Sequence, residues 1–287
     1  MDVAVVGAGR VGTALAVRLL HAGHHIVAVS GRGDTADRAA RYLPDVPIRP
    51  ASDAARGAEV VIIGTPDDLI EPTASSLTDE GALREGQTAM HLSGATSLHA
   101  LAAPRAAGAE VLSVHPLQTI PDVDAALARI PGSGMAVTAL SEAGYVLGER
   151  LASDVGGRPF RLVDEAKPIY HAAAVFASNY LVAITALADE LFRDAGMPEP
   201  VDLFLPLQWA TLDNVAAVGP AAALTGPTIR GDAGTVAANL EALTKQAPEA
   251  VPAYVALADV ALDLAHRSGR LSIDGRAAVE KVLDEWR

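Results

Sequence analysis

The 287-residue sequence predicts an α/β domain with a mostly parallel sheet, followed by an all-α domain. Three observations carry that prediction. Short apolar runs alternate with helical patterns through the first half. The strand signals stop near Asp164. Beyond it the pattern is helical, broken at Gly196-Met197-Pro198, Gly219-Pro220 and Gly226-Pro227.

Val3–Val6 reads as the first strand. Arg10–His21 reads as a helix, with Val11, Ala14, Leu15 and Leu19 on one face and Gly23 beyond its end. Ile26–Val29 is the second strand. Further strands are expected at Val60–Ile63, Thr88–Leu92, Val111–Val114, Met135–Thr138 and Phe160–Val163. Ser141 suits the N-cap of a helix reaching Ser153. The composition shift places the domains at 1–163 and 164–287.

Half the residues are apolar and only 4% are aromatic, which suits closely packed Ala/Leu/Val cores. A formal charge of −13 argues against nucleic acid as a partner. With no cysteine, disulfides, thiolate metal sites and thiol nucleophiles are all excluded. The first residues enter a strand without a basic leader, so no signal peptide and a cytoplasmic protein are expected. Pro168–Ala188 carries no charge and is long enough to span a bilayer. Its Pro, His, Ser, Asn and Thr residues point instead to a helix buried centrally, at a homodimer interface, and no membrane is expected.

The first helix opens on Gly7-Ala8-Gly9-Arg10-Val11-Gly12, directly after a strand. This is the Rossmann pattern for a dinucleotide. The first glycine permits a tight turn, the second lets a pyrophosphate approach the backbone, and the third lets helix and strand pack closely. The helix N-terminus offers amides and partial positive charge to the phosphates. The second strand ends Val29-Ser30-Gly31-Arg32, with no acid to hold a ribose 2′-hydroxyl. A hydroxyl and a guanidinium suit a 2′-phosphate, so the expected cofactor is NADP, with NAD second. Asp34 reaching the ribose is the competing possibility.

Three later strands end in Thr65-Pro66, Ser93-Gly94 and His115-Pro116. Ligands of open parallel sheets bind beyond the carboxyl ends of the strands, so these segments are expected to share one crevice with Gly7 and Ser30. Thr65 and Pro66 would lie beside the nicotinamide ribose. Ser93 and Gly94 would hold substrate, and His115 would donate a hydrogen bond or a proton. After the boundary, Lys167, His171, Ala174 and Ser178 fall within about 40° on a helix, with Asn179 at the flank. Lys167, at the helix tip, is expected to be mobile enough to reach a ligand. Arg230 could clamp a carboxylate, with Asp232 beside it. His21, His24 and His25 lack a fourth ligand, and no metal site is expected. No G-x-S-x-G elbow surrounds Ser93 or Ser113, which argues against a serine hydrolase.

Gly7–Gly12, His91–Ala95, Ser113–Thr119, Tyr170–Tyr180 and Leu224–Asp232 together resemble a bacterial family of Rossmann-like proteins with a helical C-terminal domain of unknown function. The resemblance spans almost the whole chain. More distantly the sequence looks like ketopantoate reductase, pyrroline-5-carboxylate reductase and the β-hydroxyacid dehydrogenases. It implies an NAD(P)-dependent reductase, often dimeric through its helical domains. Lys167 matches the position of a catalytic lysine in the β-hydroxyacid dehydrogenases and ketopantoate reductases, whereas His171 replaces the asparagine expected one turn later.

The reading that follows is an NADP-dependent oxidoreductase that reduces a small oxo- or imino-carboxylate, such as ketopantoate. Lys167, His171 or His115 would be the acid or base; Ser93, Asn179 and Arg230 would position the substrate. The competing reading is an NADP(H)-binding redox sensor or a non-catalytic dimeric binding protein.

Overall fold

A computed structural model describes all residues, 1–287. The chain forms two compact units, Met1–Asn179 and Tyr180–Arg287. In the first, the order is β1 (Asp2–Val6), α1 (Arg10–His21), β2 (His25–Ser30), α2 (Thr35–Tyr42), α3 (Ala51–Arg56), β3 (Val60–Ile63), α4 (Asp67–Asp79) and β4 (Thr88–His91). There follow α5 (Ala102–Ala106), β5 (Glu110–Pro116), α6 (Val123–Arg129), β6 (Gly134–Ala139), α7 (Glu142–Asp154), β7 (Arg158–Arg161) and α8 (Lys167–Ala177).

The seven strands form one sheet in the order β2-β1-β3-β4-β5-β6-β7. The first five are parallel; β6 runs antiparallel to β5, and β7 runs parallel to β6. The pleat sorts the apolar runs into two cores. Val3, Val5, Ile62 and Leu112 face one layer of helices, and Ala4, Val6, Val61 and Ile63 face the other. A sheet covered on both faces needs strands that are apolar throughout, and β3 is the four-residue run Val-Val-Ile-Ile, wholly buried. Ser141 caps α7, its hydroxyl accepting from the Gly144 amide at 2.9 Å.

The last strand lies at Arg158–Arg161 rather than Phe160–Val163. It is an exposed edge strand with arginine at both ends, so hydrophobicity is a poor guide to its start. The sheet thus ends near the composition boundary. The first unit runs on to Asn179 because α8 is tied to the sheet through Lys167.

The second unit contains α9 (Asn179–Asp194, whose first residue closes the first unit), α10 (Pro200–Ala223), α11 (Pro227–Arg230), α12 (Ala233–Gln246), α13 (Val251–Arg267) and α14 (Ile273–Asp284). Its core comes from α11 to α14, through Ile229, Leu240, Leu262, Val279 and Leu283. Each expected break is occupied by a glycine with positive φ: Gly196 at +86°, Gly219 at +79° and Gly226 at +103°. Gly219 kinks α10.

The long apolar segment departs from expectation. Helix α8 stops at Ser178 (φ −126°, ψ −66°), and no residue from Pro168 to Ala188 is buried. In α10 only Pro200 and Phe204 are buried. Helices α9 and α10 touch through stacked Phe192 and Phe204 rings 5.3 Å apart and a Gln208–Thr185 hydrogen bond of 3.0 Å. Many of their other apolar side chains stay open: Val182 is 69% exposed and Leu207 66%. An apolar helix signals that something should cover it, not that this chain does. By length and composition alone, the helical stretch Asp164–Asp194 also suffices to cross a membrane.

Candidate active site

The glycine loop follows β1 as the motif requires. Gly7 sits at φ +91°, where a Cβ would stand 2.6 Å from the Thr65 amide nitrogen, so only glycine fits between the two strand ends. Gly12 is closed in likewise, by the Gly7 carbonyl oxygen at 2.8 Å from a Cβ, and this sets the close helix–strand approach. Gly9 is different: nothing lies within 4 Å of its Cβ position. It caps α1 without a side-chain hydrogen bond, leaving the helix's leading amides to an incoming anion.

This loop borders a cleft of about 870 Å³ in which Gly7, Ala8, Gly9, Ser30, Arg32, Thr65 and Pro66 all take part. The volume suits a large small-molecule ligand. Arg10, Val11 and Gly12 continue the loop into α1 but do not line the cleft. Arg38, which the sequence reading missed, joins Arg32 at the end of β2. Its Nε donates to the Ala8 carbonyl at 3.1 Å and its Nη2 to the Thr35 hydroxyl at 3.3 Å. Asp34 is absent from the lining, its side chain 85% exposed. The Thr65 hydroxyl is buried without a protein partner at the cleft wall. Open space at Gly9, uncapped amides, two guanidiniums and an orphaned hydroxyl fit a phosphorylated dinucleotide.

Next along the sheet edge is a desolvated polar cluster. Ser93, after β4, donates its hydroxyl proton to Asp67 Oδ2 at 2.7 Å and accepts from the Thr96 amide at 2.9 Å. Its hydroxyl is therefore engaged within the protein. A Cβ on the buried Gly94 would come within 2.7–2.9 Å of three atoms of the His115 ring, so the imidazole lies directly on the Gly94 backbone. His115 Nδ1 is 2.8 Å from the Tyr170 hydroxyl, with the rings edge to face. Nothing in the sequence marked Tyr170 apart from its neighbours, and the two residues lie 55 positions apart.

Lys167 overturns one expectation. It is 1% exposed, not mobile at a helix tip, and its ammonium donates to the Ser93 carbonyl at 3.1 Å and the Ser113 hydroxyl at 2.8 Å. As the first residue of α8 it points inward while His171, one turn later, is exposed. The predicted stripe is thus divided. Ser178 and Asn179 are exposed as well. Burial lowers the Lys167 pKa to about 8, partly opposed by Asp164 and Asp67. Burial, reinforced by Lys167 and His171, lowers His115 to about 4. His91, wholly buried at the end of β4, falls to about 3, chiefly by burial and then by Lys167. Its Nδ1 accepts from the Ser93 amide at 3.2 Å. Both histidines are consequently neutral near pH 7. Burial raises the Tyr170 phenol to about 12.

Arg230 belongs to the second unit. It borders a pocket with Arg270 and Ser272, and its guanidinium stands 3.9 Å from Asp232. Asp232 caps α12 through the Thr235 amide at 3.0 Å. No group of three or more His, Cys, Asp or Glu side chains is arranged to hold a metal ion.

Residues 1–116 match the family described as a Rossmann-like domain, and residues 133–261 match a domain of unknown function, DUF2520. The chain joins a Rossmann-like domain to a DUF2520 domain. No curated protein matches the sequence. Among solved structures it is similar to a Bacteroides fragilis protein described as an NADP oxidoreductase, at 23% identity and TM-score 0.71, covering 91% of this chain and 98% of that one. A Thermotoga maritima protein is similar at 24% identity and TM-score 0.71, covering 92% and 98%. A reductive aminase from Aspergillus terreus, in complex with NADPH and ethyl levulinate, aligns at 17% identity and TM-score 0.61, covering 99% and 92%. At these identities the likeness carries the fold.

Proposed function

We propose that this chain is an NADP(H)-dependent oxidoreductase that reduces a small oxo- or imino-carboxylate, with a ketopantoate-like compound as the first substrate to test. One observation carries the reading: the glycine-loop cleft ends at β2 in Ser30, Arg32 and Arg38, while Asp34, 3.8 Å from the Arg38 guanidinium, stays 85% exposed and outside the lining. Two guanidiniums match a 2′-phosphate in charge and in hydrogen-bond geometry. The NADP oxidoreductase and NADPH-bound aminase descriptions of structural relatives point the same way. The Gly7–Gly12 loop and the leading amides of α1 would hold the pyrophosphate, and Thr65 and Pro66 would lie beside the second ribose. Bound there, the reduced nicotinamide supplies hydride.

The chain's own residues then have three tasks. His115 and Lys167 set the electrostatics at the sheet edge. Ser93 and Gly94 shape the floor on which the substrate rests. His171 and Asn179 are exposed polar groups available to a carboxylate. The reaction draws on the intracellular NADPH pool, so the reading places the protein in the cytoplasm.

Titration with NADPH and NADH, followed by NADPH-oxidation assays on oxo acids and cyclic imines, tests the reading. Tighter binding of NADPH and turnover of one compound class is the expected outcome; equal affinities would remove its basis. A chain that binds NADPH and turns over nothing would favour the redox-sensor alternative.

The open faces of α9 and α10 support a homodimer as the working form. Val182, Leu207 and Trp209 are too exposed for isolated helices of this apolarity. Sedimentation as a monomer at micromolar concentration, or stable capture by neutral lipid vesicles, would remove that part of the proposal.

A further inference from the structure

The contact between Tyr170 and His115 has no place in the site as read from the sequence, yet it fixes which chemistry the sheet edge can offer. Both groups are neutral near pH 7, and a phenol is a stronger acid than the N–H of a neutral imidazole. Imidazole nitrogen is likewise a stronger base than a phenol oxygen. Across 2.8 Å, then, the Tyr170 hydroxyl donates and His115 Nδ1 accepts. An imidazole that accepts at Nδ1 carries its proton on Nε2. That nitrogen has no hydrogen-bond partner within the protein.

The ring is held tightly in this pose. Gly94 leaves no room for even a methyl group against Nδ1, Cε1 and Nε2. The Tyr170 ring meets the imidazole edge to face at 5.6 Å between centroids, and Phe160 backs Tyr170 at 6.1 Å. The charged and titratable groups around the ring, besides Tyr170, are Lys167, His171, Asp67 and the neutral His91. Asp67 immediately follows Thr65-Pro66 of the cleft wall, so the imidazole belongs to the edge where the cleft ends.

We propose that Tyr170 locks His115 as its neutral Nε2–H tautomer, so that His115 donates to a carbonyl oxygen and the substrate is an oxo compound, not an iminium ion. A carbonyl oxygen has lone pairs for this donor. A protonated iminium nitrogen has none, and the buried ammonium of Lys167 nearby disfavours a second cation. The inference rests on the reductase reading and narrows it. In the reduction, the carbonyl carbon gains hydride from a dihydronicotinamide, which is oxidised, and the C=O π pair moves to oxygen. That oxygen takes the Nε2 proton as Nδ1 takes the Tyr170 proton. This completes the alcohol; Nε2 then takes a proton from solvent as Nδ1 returns its own to the half-buried phenolate, which restores the Nε2–H tautomer. Tyr170 acts through His115 and is a positioning residue.

Two measurements on the full chain test this. In protein labelled with 15N-histidine, long-range proton–nitrogen NMR should show His115 Nδ1 as unprotonated and Nε2 as protonated, unchanged from pH 5.5 to 8. Tyr170→Phe keeps the ring contacts and should turn that single tautomer into a mixture. A proton on Nδ1 in the wild type, or an identical spectrum in the variant, overturns the lock. This arm needs neither cofactor nor substrate, so it stands apart from the reductase reading.

The second arm compares 2-oxobutanoate with 1-pyrroline-2-carboxylate as NADPH oxidants. Oxo-acid turnover should dominate, and Tyr170→Phe should lower its kcat roughly tenfold, with KM and NADPH affinity little changed. His115→Phe should lower it about 10²-fold, the usual effect of deleting one donor at a developing oxyanion. Faster reduction of the imine, or unchanged kcat in Tyr170→Phe, overturns the substrate assignment. If neither compound nor any other carbonyl is reduced, the reductase reading fails and takes the donor role with it, while the NMR result still decides the lock.

Discussion

The first unit and the α9–α10 pair use similar residues to opposite effect. In the sheet, alternate apolar side chains are met from both faces, and a small change such as a Cβ at Gly7 collides with backbone. In α9 and α10 the side chains are as apolar, and Phe192 stacks on Phe204, yet large ones such as Val182, Leu203 and Leu207 stay exposed. The difference teaches that hydrophobicity fixes a conformation only where the covering surface belongs to the same chain. Elsewhere it advertises a requirement.

Substitutions should separate the two regions cleanly. Gly7→Val should have the largest effect, because it forces both a left-handed φ and a collision with Thr65. It should abolish measurable NADPH binding and destabilise the first unit by about 2–4 kcal/mol. Isothermal titration and thermal melting would check both; a variant that binds normally would show the glycine loop to be slacker than its contacts imply. Val182→Asp combined with Leu207→Asp should do the reverse. It should raise the dimer dissociation constant about 10²-fold or more, in line with loss of a central apolar anchor. NADPH affinity should stay within twofold. Sedimentation velocity reads the first quantity, and an unchanged association state would break the comparison at its open end.

Helix α8 lies between these extremes, anchored to the sheet by Lys167 and Tyr170 and exposed along most of the rest. Its anchor should be visible in pH dependence. The Lys167 pKa is about 8 folded against 10.5 unfolded, so below pH 8 both states are protonated and the buried charge exerts its full penalty. From pH 8 to 10.5 the unfolded chain holds more protons, and stability rises, by at most about 1.4 kcal/mol per pH unit. Lys167→Met lacks this term. The wild type should therefore gain on the variant across that window, measured as the difference in urea-unfolding free energy; parallel curves would mean that Lys167 is effectively solvated. The smallest effect is expected at Arg38→Ala. It should narrow the preference for NADPH over NADH roughly tenfold, about the contribution of one charge-assisted contact. Competitive titration of the two cofactors would measure it.

What the sequence revealed follows the range of the forces involved. The glycine turn and α1 were legible because a tight turn, a strand end and a helix start are all local. The strand ends could be assigned to one edge because parallel topology orders them. Arg38 escaped because its guanidinium returns across α2 to the Ala8 carbonyl, a contact that helical periodicity does not encode. Lys167 and His171 looked alike on a helical wheel, and only the position of the sheet decides that one is buried and the other exposed. Tyr170 opened a segment that carried the resemblance, but its role is defined by a residue on β5, 55 positions away. The run from Pro168 to Ala188 was legible as apolar, but the expected central burial within this chain was not met, since the break at Ser178 and the absence of a facing core leave no trace in composition.

The reversal of β6 has its own consequence. Because β6 and β7 run against the first five strands, their carboxyl ends lie at the edge away from Gly7, Ser93 and His115. The segment from Val123 to Arg161 therefore supplies a buttress, braced by Arg161 between Glu142 and Glu149, without lining the dinucleotide cleft. For protein engineering this makes it a permissive site. The turn at Leu140, exposed where β6 ends on that far edge, is where a reporter domain or affinity handle could be inserted while the chemistry at the other strands is left untouched.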